Sequence, residues 1–251
     1  MDQPKFALIT AFVSKTKDRF HEYNEDKTLE ERFALVNLMK GMTGVECIFP
    51  YETGEPATFK ALLKNSRLKP AAINVNVKAE PEFKAGGLTS LNPATRRRAI
   101  QFIKDSKDFE YKPSETRGRC FLDTASKTLC LLHEIGIKEM GVTLDYGHSK
   151  YGQDNPAEVL TQLAGSGYAF YVHINDNNAK WDWDFMVASH NFVDYVEFLY
   201  YLQEVGYQDF LTSDASPTRW DIVGFFDANT RLTQKIWTLL RTIDRREFRA
   251  C

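Results

Sequence analysis

Paired cysteines, long apolar runs and a dominant charge sign are all missing from this sequence of 251 residues, and each absence removes a class of protein. The four cysteines, Cys47, Cys120, Cys130 and Cys251, are widely spaced with no Cys-x-x-Cys pair. Neither a zinc knuckle nor a disulfide scaffold is indicated, and a reducing cytoplasm is the expected location. No window approaches the roughly 18 uninterrupted apolar residues of a membrane span, and the first residues lack the apolar core of a signal peptide. Lys plus Arg number 32 against 34 for Asp plus Glu, a net charge of −2. Such a chain creates no field that would gather nucleic acid or an anionic membrane, so a small-molecule partner is expected.

What is present is a rhythm. Short β-branched or aromatic runs alternate with longer segments of helical period, the pattern of βαβ units and a mostly parallel sheet. Strands are predicted at 6–12, 44–49, 70–77, 108–112, 140–145, 168–175 and 209–214. Helices are predicted near 28–41, 56–66, 93–106, 122–136, 156–165, 191–205 and 221–243. Asn155 before Pro156, with Glu158 following, marks a helix start, and Gly136, Gly165 and Gly206 are expected to close helices. In 191–205, Phe192, Val196, Leu199 and Leu202 form an apolar stripe for packing on the sheet, while Tyr195, Tyr200 and Tyr201 offer a contact face for a homo-oligomer.

A TIM-type (β/α) barrel normally takes eight strands, because layers of four side chains from alternate strands fill its interior. Seven are legible here. The helix ending near Ser106 runs almost directly into the strand carrying Glu110, so the chain reads as a single barrel domain, 1–251, one βα unit short.

In parallel α/β folds the reactive groups gather at the carboxyl edge of the sheet. At the predicted strand ends stand Glu110 and Lys112, Asp145 with His148, His173 with Asn175, and Asp214; Asp182 and Asp184 follow in the loop after His173, alternating with Trp181 and Trp183. Carboxylates crowded on one rim are tolerable when cations neutralise them, since uncompensated buried charges cost several kcal/mol each. A shell rich in carboxylate with imidazole suits Mn²⁺ first, with Mg²⁺, Co²⁺ or Zn²⁺ as alternatives, in one or two ions. Glu110, Asp145, His173 and Asp214 come from four strands and could surround one ion; His148, Asp182 and Asp184 could hold a second. His21 and His133 read as solvated or structural, His190 as part of a helix entry, and Arg96, Arg97 and Arg98 as a solvated helix face.

The run EYKPSETR, from Glu110 to Arg117, resembles the Glu-x-Lys-Pro-x-Glu-x-Arg motif of xylose isomerases and L-rhamnose isomerases. The pair Asp145 and His148 resembles their acidic-x-x-His pair, Asp182-Trp-Asp184 their Asp-x-Asp pair, and Asp214 their last-strand carboxylate, in order across 108–220. Asp145 stands where xylose isomerases carry Glu and His173 where they carry Asp, both following the L-rhamnose isomerase pattern. The resemblance implies a xylose isomerase-like barrel that interconverts aldose and ketose or epimerises a ketose with divalent metal. It implies that Lys112 donates a hydrogen bond to the substrate carbonyl while Glu115 keeps it charged and oriented; the residues leave open whether hydrogen moves as a hydride between carbons or as a proton, for which Glu110 or Asp214 would be the base. Arg117, Asn175, Trp181 and Trp183 are candidate substrate contacts. The alternatives are a metal-dependent lyase on an oxidised glycoside, a phosphodiesterase of the endonuclease IV kind, which the weak charge disfavours, and a non-catalytic ligand-binding or scaffold relative.

Overall fold

The computed structural model describes residues 3–17, 20–49, 51–53, 55–75, 81–84, 86–87, 90–106, 108–110, 112–114 and 120–244, and the backbone alone of 75, 102–106 and 108–110. Its elements are β1 (Lys5–Ile9), a short hairpin β2 (Thr16–Lys17) and β3 (Glu22–Tyr23), α1 (Leu29–Leu38), β4 (Met42–Phe49), α2 (Pro56–Lys64), β5 (Lys69–Val75), α3 (Pro93–Ser106), β6 (Asp108–Glu110), α4 (Ala125–Ile135), β7 (Gly141–Asp145), α5 (Tyr146–Tyr151), α6 (Pro156–Ser166), β8 (Ala169–Ile174), α7 (Phe192–Glu204), β9 (Phe210–Ser213) and α8 (Ile222–Leu240). Each of the seven predicted sheet strands is present. The hairpin and α5 are additions that the sequence pattern does not announce.

The seven strands form one sheet in the order β5-β4-β1-β9-β8-β7-β6, with every pair parallel. Strands β5 and β6, consecutive among the sheet's strands along the chain, occupy its two ends. The break therefore falls where the sequence runs a βα unit short.

The sheet is curled, and one contact proves it. Glu46 of β4 and His173 of β8 are separated by β1 and β9, three strand spacings or roughly 14 Å on a flat sheet. Yet Glu46 Oε2 lies 2.9 Å from His173 Nε2. Only a sheet bent toward closure brings those side chains together across its interior.

Helices pack outside. Thr28 and Glu31 form a reciprocal capping box at α1, and Asn155 Oδ1 accepts from the backbone N–H of Ala157 and Glu158 at α6, with Pro156 in the first turn. Gly136, at φ +70, closes α4 as expected. Gly165 does not close α6: the helix runs through Ser166 and Gly167, at φ +78, takes the left-handed position.

Helix α7 corrects two further expectations. Tyr195 and Tyr200 are buried, the Tyr195 hydroxyl bonding Thr233, so they belong to the core rather than to an exposed contact face. Phe192 is 52% exposed and leaves the stripe, which Tyr195, Phe198, Leu199 and Leu202 make instead. One apolar cluster links these helix faces to Phe6, Leu8, Val45, Val142, Leu144, Val172 and Leu211 on the sheet. No helix among the described residues is long and apolar enough to cross a membrane.

Candidate metal centre and active site

The parallel register aligns the carboxyl ends of β7, β8 and β9. Asp145 pairs with His173, His173 pairs with Thr212, and the Asp214 N–H donates to Ile174 O at 3.2 Å. Asp145, His173 and Asp214 each present a ligand atom, and these atoms all lie within 4.8 Å of one another. His173 Nδ1 is 3.2 Å from Asp214 Oδ2 and 3.7 Å from Asp145 Oδ2. The Asp145 side chain is fully buried and that of Asp214 keeps 17% exposure, so the cluster opens on the Asp214 side. Two carboxylate oxygens facing one imidazole nitrogen are mutually repulsive unless a cation or proton lies between them; the donor set fits a divalent ion.

The Asp145 carboxylate is held at both oxygens. It caps α5, its Oδ1 accepting from His148 N–H at 2.8 Å, and its Oδ2 accepts from Asn175 Nδ2 at 3.1 Å. Asn175 Oδ1 in turn accepts from Gly147 N–H at 2.7 Å. A Cβ at Gly147 would stand 2.3 Å from that same Oδ1, so the approach requires glycine. Asn175, itself buried, thus braces Asp145.

A second cluster lies beside the first. Asp182 Oδ2 accepts from Lys112 Nζ at 2.7 Å and faces His148 Nε2 at 3.2 Å. Burial alone would raise the Asp182 pKa, but the His148 hydrogen bond and charge, with Lys112, outweigh it and hold the carboxyl well below its usual range. Asp184 goes the other way. Burial pushes its carboxyl well up, and the like charges of Asp214, Asp182 and Asp145 add to the rise. Its backbone is at φ +50, a left-handed conformation uncommon for a residue with a side chain and enriched at functional sites.

The loop carrying these groups is pinned by Asp176, which pairs with Phe185 through two backbone hydrogen bonds of 2.9 and 3.0 Å. The Asp176 carboxylate accepts from His190 N–H and Asn191 N–H at the entry to α7. Of the three aspartates after His173, Asp176 is thus spent on holding the loop.

Several sequence expectations are redistributed. Lys112 is oriented by Asp182, and Glu115, its expected partner, lies with Arg117 outside the described residues. Glu110 ends β6 opposite Thr143 of β7, next to the strand that carries Asp145; its side chain is outside the described set. His148, three residues past the end of β7, is on α5. Among the described residues the group with the metal-ligand spacing is Asp145, His173 and Asp214, and the second trio, His148, Asp182 and Asp184, does not meet it. Trp183 is half exposed, stacks on Phe185 with rings 6.0 Å apart, and donates its indole N–H to Asn178. The Trp181 ring is tilted by 49° to that of Trp183, 6.5 Å between ring centres.

The sequence reading missed Glu46, 2% exposed in the middle of β4. The signal was available: a lone carboxylate inside GVECIF, a run that otherwise reads as a fully buried strand.

An open parallel α/β barrel with acids and an imidazole gathered at its carboxyl rim defines the class. A profile described as xylose isomerase-like TIM barrel matches residues 111–222. The chain has a TIM-type (β/α) barrel fold. An uncharacterized protein of Methanocaldococcus jannaschii is 33% identical over 85 residues, which is 34% of this chain and spans 28% of that relative's length. A xylose isomerase domain protein from Alicyclobacillus acidocaldarius superposes with a TM-score of 0.63 at 17% identity, covering 94% of this chain and 99% of its own. A D-tagatose 3-epimerase-like protein gives 0.64 at 16%, covering 97% and 99%, and an L-ribulose 3-epimerase 0.61 at 14%, covering 95% and 96%. At these identities the likeness is one of fold.

Proposed function

We propose that the protein is a divalent-cation-dependent isomerase or epimerase acting on a small sugar. The observation that carries the reading is the convergence of Asp145, His173 and Asp214 within 4.8 Å, at the carboxyl rim of a barrel whose structural neighbours include proteins named as sugar epimerases. Asp145, His173 and Asp214, with Glu110 from the neighbouring strand, would hold the ion, Mn²⁺ being the best match. When bound, the cation supplies Lewis-acid polarisation of adjacent sugar oxygens.

The chain's own groups do the rest. Lys112, kept charged and aimed by Asp182, donates to the carbonyl oxygen on which negative charge develops. A rim carboxylate, Asp214 or Glu110, takes the proton from the carbon next to the carbonyl; the C–H electron pair becomes a carbon–carbon double bond as the carbonyl π pair moves onto oxygen, and return of a proton to carbon with re-formation of the carbonyl completes the exchange. Asp184 and His148 complete the polar wall, while Trp181 and Trp183 at the loop tip offer flat faces to a sugar ring.

The test is metal analysis of the purified chain, followed by a panel of ketoses and aldoses assayed after chelation and after Mn²⁺ is restored. Turnover of one sugar or more in the restored form alone, with solvent deuterium entering the product, is the expected result. A cation-loaded protein that converts no sugar on the panel overturns the activity, and product free of deuterium overturns the proton route.

A further inference from the structure

We infer that Glu46 is a positioning residue for the cation centre: it fixes the His173 ring so that Nε2 carries the hydrogen and the Nδ1 lone pair faces Asp145 and Asp214. The inference rests on the cation reading above and adds a residue from β4, outside both the matched region 111–222 and the motif set.

A neutral imidazole has one N–H donor and one acceptor nitrogen, whereas a carboxylate can only accept. Glu46 Oε2 at 2.9 Å from Nε2 therefore places the hydrogen on Nε2. The opposite nitrogen then meets Asp214 Oδ2 at 3.2 Å and Asp145 Oδ2 at 3.7 Å, three electron-rich atoms turned toward a shared point. That is the geometry of a ligand imidazole whose second nitrogen is held by a carboxylate, an arrangement that sets ring orientation and raises ligand basicity.

The hold is rigid at both ends. Glu46 and His173 are each 2% exposed, which leaves little water to compete for the ring. The Glu46 backbone is fixed between β1 and β5, paired with Ile9 and Ala72, and its carbonyl accepts from Thr10 Oγ1 at 3.1 Å. On the other side the Tyr171 ring meets the imidazole edge to face at 5.6 Å and 78°. Rotation of His173 about its Cβ is blocked on these sides, so the nitrogen offered to the rim is settled before any ion arrives.

The experiment compares the full chain with Glu46→Gln and Glu46→Ala, each stripped by chelator and titrated calorimetrically with Mn²⁺. Loss of such an outer partner typically weakens metal binding by about 10–100-fold, which is the range expected for Glu46→Ala. The carboxamide oxygen of Glu46→Gln can still accept from Nε2–H, so that variant should recover part of the affinity. The independent readout is the Nε2–H proton of the His173 ring in Zn²⁺-loaded protein: a downfield, slowly exchanging resonance in the natural chain and in Glu46→Gln, and a rapidly exchanging one in Glu46→Ala. Where Glu46→Ala does not fold, Glu46→Gln decides alone, through weakened Mn²⁺ binding. Unchanged affinity beside a lowered unfolding midpoint would make the pair a structural one and overturn the proposal. A natural chain that binds neither Mn²⁺ nor Zn²⁺ instead removes the cation reading itself, and Glu46's role with it.

Discussion

Asp182 and Asp184 stand two residues apart in sequence and their carboxyls are driven in opposite directions. Asp182 is ionised through its bonds to Lys112 and His148, while Asp184, buried among Asp214, Asp182 and Asp145, favours its proton. The signs follow from linkage. Asp182, lowered in the fold, contributes stability present above its unfolded pKa and lost as pH falls through the folded one. Asp184, raised, contributes stability present below its unfolded pKa and lost as pH rises through the folded one. A cation at the rim competes with the Asp184 proton, so Mn²⁺ affinity should strengthen with rising pH and binding should release protons. Calorimetry in buffers of different ionisation enthalpy measures that release, and a proton count of zero would contradict it. Because Asp182 aims Lys112, Asp182→Asn and Lys112→Ala should each lower kcat by at least about 10²-fold, the cost of losing one preorganised donor to a developing oxyanion. Steady-state kinetics on the sugar identified by the panel checks this, and unchanged kcat in either variant would remove Lys112 from the mechanism.

At the scale of elements, α5 carries most of the burden of shaping the rim. Asp145 caps it, His148 projects from it and Gly147 lets Asn175 come close. Gly147→Ala forces either α5 or Asn175 to shift, and overpacking of this kind typically costs about 1–3 kcal/mol. Urea unfolding should show that loss together with weaker Mn²⁺ binding, since Asn175 also bonds Asp145. The strands were legible because β-branched and aromatic runs in a parallel sheet are read almost directly. The rim residues Asp145, His173 and Asp214 were legible because they end those runs. α5 was not, since YGHSKY is six residues long and contains glycine, too short and too irregular for a helical period to emerge. Glu46 was missed for a different reason: attention to strand ends passes over a charge placed mid-strand, and its partner is 127 residues away. The tyrosines of α7 misled because an aromatic with a hydroxyl reads as surface, whereas Thr233 satisfies the Tyr195 hydroxyl inside the core.

On the scale of the whole molecule, the sequence's one-unit shortfall becomes a sheet whose two terminal strands, β5 and β6, come from adjoining parts of the chain. A fully closed barrel keeps its radius through an unbroken ring of interstrand hydrogen bonds. Here the Glu46–His173 contact works as a spoke across the hollow, tying β4 to β8 from within. Anything that tightens one end of a spoke is felt at the other. Loading the rim beside His173 should therefore slow amide hydrogen exchange in β4, in Val45 and Cys47 above all, although neither touches the ion; exchange in β4 that ignores Mn²⁺ would mean the spoke carries no tension.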